Sequence, residues 1–457
     1  MFLFSIAARF FLKQMKMQID DMCKNKSFQH EVEMEIESGN DMEVENNLDE
    51  LFKNALNTFN EDITCLTGVW DGLAYALQEA QKTSMKSLNE FVKANASIDE
   101  EKEKTLKLGF ESADKILKFN RLHERFKKYF FASRILPQNS IINLIISFDV
   151  LIGSLAKNVY YCRPEILDGS DKSLKFSELV KFGDLNKARE YVIEKEIDLI
   201  LRGGHDEQIE WFEKYMNNNF NFRKFVSWSN FIEICERRNL FVHSNGNISD
   251  QYIRVCKEND VALPQTFKKG DILTVDRKYF LNSCDTILEL GNKLGFILWK
   301  KFLPLGGHEY FFNCLAVELI KCGNYNLAMN YLDFMMGLKP EPSGQNLLMM
   351  KINKAQCLKW QKKEEEAKQI FESIDWSPLS TEYKLVHCVL LDDYLNAIKL
   401  MQIVGKNSDL VNEYAYREWP IFKEFRKQDM FIKTFNEIYQ KPYTEVEIDD
   451  YELKFKI

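Results

Sequence analysis

The sequence predicts an all-α fold divided into several domains, and three observations carry that reading. Apolar residues recur at three- and four-residue spacings, as in Leu51, Ala55, Leu56 and Phe59, then Leu106, Phe110, Ala113, Ile116 and Leu117, the period that lines one face of a helix. Glycine and proline are scarce, 19 and 9 in 457 residues, which disfavours turn-rich sheets. The length exceeds what one hydrophobic core usually serves, so two or three domains are expected.

Taken in order, residues 31–50 are acidic and poor in large apolar groups, which suits a flexible lead over 1–47 with order beginning near Leu48. The run Met1 to Leu12 is apolar but Arg9 interrupts it, and it is too short to cross roughly 30 Å of hydrocarbon, so no membrane anchor is expected. Residues 48–138 read as a helical domain of two or three long antiparallel helices. Pro137-Gln-Asn-Ser140 then supplies a stop and a new N-cap, and a bundle is expected over 139–303. Its helices cover 141–161, 174–201, 207–216 after a break at Gly203-Gly204, 225–241 and 279–302. Ser244-Asn245-Gly246 offers the left-handed residue that helix ends prefer. Val261-Ala-Leu-Pro264 and Ile272-Leu-Thr-Val275 suggest a small extended insert near 255–276.

Beyond Pro304-Leu-Gly-Gly307 the pattern becomes paired short helices over 308–440, with a tail at 441–457. Ala316, Gly323, Ala328 and Pro340 fall at spacings of seven, five and twelve, Ala355 and Ala367 repeat the twelve-residue offset, and Leu385 and Ala397 keep it weakly. Such recurrence of small residues marks stacked helical hairpins. Trp419 to Tyr439 reads as a closing hairpin.

Composition limits the function. The net charge of -8 argues against a surface that coats nucleic acid broadly, so any RNA contact must be local. Basic clusters occur at Lys102 to Lys107, in Arg121-Leu-His-Glu-Arg-Phe-Lys-Lys128 and in Glu236-Arg237-Arg238; solvated helix faces are the plainer reading of the first two. The ten cysteines are scattered, with no CxxC pair or metal-ligand spacing, consistent with a reduced, cytoplasmic chain. His205 and His308, each in Gly-Gly-His, read as loop residues without ligand-spaced partners. No metal or cofactor is expected.

The informative string is Phe231-Ile-Glu-Ile-Cys-Glu-Arg-Arg238-Asn239-Leu-Phe-Val-His243-Ser-Asn-Gly246. On a helix Asn239 and His243 share a face, and Arg238 lies about 140° from His243, within reach of a long side chain. A histidine can exchange a proton with a ribose 2′-OH or a leaving 5′-oxygen. The planar, always charged arginine can brace the charge developing on phosphorus. Asparagine can orient either group without adding charge.

These residues resemble the HEPN superfamily, whose motif is an arginine, four to six intervening residues of which the first is a polar Asn, Asp or His, and then a histidine, here Arg238-Asn239-x-x-x-His243. The helices at 141–161 and 279–302 with those between them are similar to that family's four-helix bundle, and the repeats after 308 resemble TPR units. The resemblance implies a metal-independent endoribonuclease that leaves a 2′,3′-cyclic phosphate and a 5′-hydroxyl. It also implies a homodimer in which Arg238 and His243 of both protomers meet, and a role as a bacterial toxin or anti-phage defence effector. Family members often add an acidic residue on the first helix or before the motif, which points to Asp149 and Glu233, with Arg237 as a further supporting residue. The TPR-like repeats imply a protein or peptide partner. Two alternatives stay open: a catalytically silent HEPN and TPR scaffold that dimerises and recruits a partner, and a sensing partner of a separate nuclease.

Overall fold

The structure, a computed structural model, describes residues 41–100, 106–169, 174–216, 220–342 and 344–444; the expectations for 1–40, for 101–105 within the first basic cluster and for most of the 441–457 tail lie outside these. The described chain is mostly helical, with a single two-stranded sheet among the described residues, and divides into two compact units at Gly306/Gly307.

The first unit is organised by two long helices, α1 (Asp41–Asn95) and α2 (Ala113–Cys162). Between them lies a two-stranded antiparallel hairpin, β1 (Ala96–Glu100) and β2 (Leu106–Phe110), in which Ala96 pairs with Phe110. Helix α1 begins at Asp41, inside the segment expected to be flexible. Its buried Phe52, Leu56, Phe59 and Ile63 recur at spacings of four, three and four, so this stripe orders the acidic start with it. The Pro137 to Ser140 signal does not end a helix, because α2 runs straight through it. Proline removes one backbone donor and crowds the preceding turn, a cost of about 3 kcal/mol. Against that, Ile141, Leu144, Ile145, Phe148, Leu151, Ile152 and Leu155 are all buried just downstream, each contributing about 1.5–3 kcal/mol. The hairpin was not legible either, since Leu106 and Phe110 also fit a helical period.

Further helices complete the bundle around the motif helix. Helices α3 (Phe176–Phe182) and α4 (Leu185–Arg202) replace the single expected run 174–201, parted by Gly183 at φ 69°. Helix α5 (His205–Tyr215) follows the Gly203-Gly204 break, α6 (Trp228–Ser244) carries the motif, and α7 (Asp250–Glu258) and α8 (Arg277–Phe302) close the unit. The expected extended insert is mostly irregular: α7 occupies its start, and a single bridge joins Asn247 to Ile272. Helix α8 approaches α1 and α2 closely. A Cβ on Gly291 would lie 2.5 Å from the Phe59 ring, and one on Gly295 would lie 2.5 Å from Leu56. Asn60 and Asn292 exchange side-chain hydrogen bonds of 2.8 and 2.9 Å across the same contact.

Above this core, α1 and α2 continue as a two-helix arm tipped by the hairpin. Between Trp70 and Gln138, Ser84 alone is buried among the described residues. A window of α2 is apolar enough to cross a membrane by composition, with mean hydropathy 1.6, and half of it is buried in the fold.

The second unit is a stack of helical hairpins: α9 (His308–Lys321) with α10 (Tyr325–Gly337), α11 (Gly344–Trp360) with α12 (Glu364–Glu372), and α13 (Thr381–Leu390) with α14 (Tyr394–Val404). The small residues singled out in the sequence sit at the tight crossings: Ala316, Ala328, Ala355, Ala367 and Ala397 are all buried. Each hairpin turn holds one left-handed residue, Gly323, Lys362 or Asp392, and only the first uses the glycine for which that conformation is cheap. Buried Asn353 donates to Asn313 at 2.9 Å, and Lys359 Nζ donates to the Leu390 carbonyl at 2.8 Å, linking neighbouring hairpins. The closing segment differs from the expected hairpin. After α15 (Glu413–Glu418), Pro420–Phe422 and Phe425–Lys427 form single 3₁₀ turns before α16 (Asp429–Tyr439).

Candidate functional site

Helix α6 has a core face and an open edge. Trp228, Phe231, Ile232, Cys235, Leu240 and Phe241 are buried, which fixes the helix's rotation against its neighbours. The helix ends where Asn245 at φ 53° and Gly246 at φ 82° turn left-handed, and the Gly246 N–H returns to the Leu240 carbonyl at 3.0 Å. Gly246 is doubly constrained: a Cβ there would lie 3.2–3.3 Å from Gln138, the Leu273 carbonyl and Phe241.

The motif lies on the open edge of the last two turns. Arg238 and Asn239 are half-buried and His243 is exposed. Arg238 donates from Nη1 to Asn239 Oδ1 at 3.2 Å, and Asn239 Nδ2 donates to Glu236 at 3.3 Å. Asparagine thus braces the guanidinium through its amide oxygen, and the other Nη donors have no hydrogen-bond partner among the described residues. The Arg238 Nε is buried without a hydrogen-bond partner, a donor whose desolvation is uncompensated. Among the described residues His243 makes no hydrogen bond or ion pair, and Val242 beside it is 47% exposed.

The expected supporting residues do not join this edge. Glu233 is buried, accepting from Arg237 Nε at 2.7 Å, from Tyr252 Oη at 2.6 Å and from Tyr279 Oη at 2.7 Å. The Arg237 guanidinium stands over the Tyr279 ring, 3.8 Å from its centroid, and also donates to the Thr274 carbonyl. Burial first, and then the Glu233 charge, hold both phenols protonated far above their ordinary range. This closed cluster fastens α6 to α7 and α8 and keeps Glu233 and Arg237 buried, away from the open edge that carries His243. A carboxylate and an arginine four apart on the buried face satisfy each other instead of facing solvent.

Asp149 is likewise engaged elsewhere. It accepts from His205 Nε2 at 3.1 Å, and His205 packs against the paired rings of Phe148 and Phe231 at 6.0 and 5.6 Å. His205 is therefore no loop residue: it opens α5 and is mostly buried. Burial favours its neutral ring, but hydrogen bonding and charge from Cys235 and Asp149 outweigh that and push its pKa up to about 10. This contact of α2, α5 and α6 pins the motif helix from its other side. His308 also lies in the first turn of a helix, α9, and is 2% exposed. Among the described residues no group of His, Cys, Asp or Glu could hold a metal ion.

One residue near the motif escaped the sequence reading. Arg134 on α2 donates to Asn245 Oδ1 at 3.4 Å, two residues beyond His243, and it lies 111 positions away in sequence, so no local pattern signals it. Compared with protein-family models, with curated proteins and with solved structures, the chain matches none.

Proposed function

We propose that the chain is a metal-independent endoribonuclease of the HEPN type, acting as a cytoplasmic homodimer. One observation carries the reading: Arg238-Asn239-x-x-x-His243 ends a buried helix with its histidine open to solvent and its arginine braced by the asparagine. In the reaction the ribose 2′-oxygen attacks the adjacent phosphorus, forming the O2′–P bond while the P–O5′ bond breaks. The 2′ proton leaves to a base, the 5′-oxygen receives a proton, and the products are a 2′,3′-cyclic phosphate and a 5′-hydroxyl. His243 supplies the proton-exchanging group, and Arg238 stabilises the phosphorane charge with its uncommitted donors. A second protomer would contribute the other His243, giving base and acid together.

The C-terminal unit fits a TPR-like array that binds a protein or peptide. Its support is a cleft of about 390 Å³ whose lining includes Tyr310, Asn313, Lys321, Met349, Tyr414 and Trp419. A toxin or defence role rests on the family resemblance. The competing scaffold reading draws on the closed bonding of Asp149, Glu233 and Arg237, which leaves Arg238, Asn239 and His243 without any of the three supporting residues expected beside them. The deciding experiment incubates RNA in EDTA with the wild type, His243→Ala and Arg238→Ala. Loss of cleavage by about 10²-fold or more in His243→Ala, with an unchanged melting transition, supports the nuclease; full activity in that variant overturns it.

A further inference from the structure

We infer that the exposed face of α2 between Leu117 and Ile135 binds single-stranded RNA and delivers it to the motif end of α6. The inference deepens the nuclease reading and rests on it. Leu117, Arg121, Glu124, Lys128, Phe131 and Ile135 recur at spacings of four, three, four, three and four, so they form one line along the helix, with Arg125 beside it. Leu117, Phe131 and Ile135 are 56%, 46% and 42% exposed, and Arg121, Arg125 and Lys128 are exposed as well.

Two features select the occupant. The first is charge. On this face Arg121, Arg125 and Lys128 stand against the single carboxylate of Glu124, in a chain of net charge -8. Glu124, the one acid on the line, is paired to Lys127 at 3.2 Å, and Arg121 and Lys128 have no ion-pair partner among the described residues. A local cationic strip on an acidic protein suits a polyanion. The second is the interleaving of cations with open rings. Arg125 lies 6.0 Å from the Tyr129 ring and Arg134 lies 5.8 Å from the Phe131 ring, and Phe131 is 46% exposed. Cations for phosphates beside aromatic faces for unstacked bases are what single strands need and what duplex backbones do not use. A shallow cleft of about 530 Å³ lies on this face, with Arg121, Arg125, Lys128 and Tyr129 in its lining, within the usual size range for small-ligand sites. The line leads to the motif, since Arg134, one residue short of Ile135, bonds Asn245 at the end of α6.

The test measures binding by the full chain carrying His243→Ala, so that cleavage does not intervene. A fluorescent single-stranded oligoribonucleotide should bind. Replacing Arg121, Arg125 and Lys128 together by glutamine should weaken it about tenfold or more and flatten the slope of log affinity against log salt by about 2, the loss of three phosphate contacts. Phe131→Ala should weaken binding about fivefold or more with little change in that slope. Binding undiminished in the triple variant overturns the proposal, as does binding of anionic phospholipid vesicles without RNA binding. RNA binding through this face by a wild type that never cleaves would overturn the nuclease reading and leave the binding face standing. Undiminished cleavage by the triple variant would do the reverse.

Discussion

Replacing Glu233 by alanine leaves Arg237 charged, buried and stripped of its partner. Arg237 is 7% exposed, its Nε sits 2.7 Å from the carboxylate, and its remaining bond is to the Thr274 carbonyl. Breaking a buried pair from one side costs about 3–5 kcal/mol, because the surviving charge stays desolvated. The loss falls on α6, α7 and α8 together, since Tyr252 and Tyr279 donate to the same carboxylate. Hydrogen exchange localises it: protection of amides within 231–244 should fall by about two to three and a half powers of ten, at 1.4 kcal/mol per decade. The double variant Glu233→Met with Arg237→Leu should recover most of that protection, because no charge is left buried. Protection in Glu233→Ala within threefold of the parent would refute the structural assignment and return Glu233 to the candidate catalytic groups.

Other consequences follow from the packing and the charges. Gly295→Val should destabilise the first unit by about 1–3 kcal/mol, since its Cβ would stand 2.5 Å from Leu56, itself fully buried; an unchanged urea midpoint would contradict the close approach of α8 to α1. His205 has a folded pKa of about 10 against an ordinary 6.5, so its contribution to stability is fully present below about pH 6.5 and is lost as pH rises through about 10. The stability difference between wild type and His205→Gln should therefore shrink over that window, and a difference constant with pH would show that the ring is not held by the Asp149 and Cys235 contacts.

The helical class and the motif helix were legible because periodicity and end signals are local. The stripe in α1, the break at Gly203-Gly204, the left-handed stop at Asn245-Gly246 and the small residues of the hairpin stack all act within a few residues of themselves. What misled was equally local. Pro137 reads as a stop by its own chemistry, but the apolar run after it makes continuing the helix cheaper than ending it. The hairpin at 96–110 was hidden because Leu106 and Phe110 fit either period. At the site, residue types pointed to Arg238, Asn239 and His243, and the geometry leaves those three on an open edge. Asp149, Glu233 and Arg237 have suitable chemistry but are committed to His205, Tyr252 and Tyr279, partners that no spacing announces. Arg134 was missed for the same reason, reaching the motif end from a distant turn of another helix.

The most direct measurement maps the ends of RNA treated with wild type and with His243→Ala in EDTA. The nuclease account predicts 2′,3′-cyclic phosphates and 5′-hydroxyls from the wild type, and none from the variant, whose exposed histidine contributes little to folding. Identical ends from both proteins, or 3′-hydroxyl and 5′-phosphate products, would contradict it.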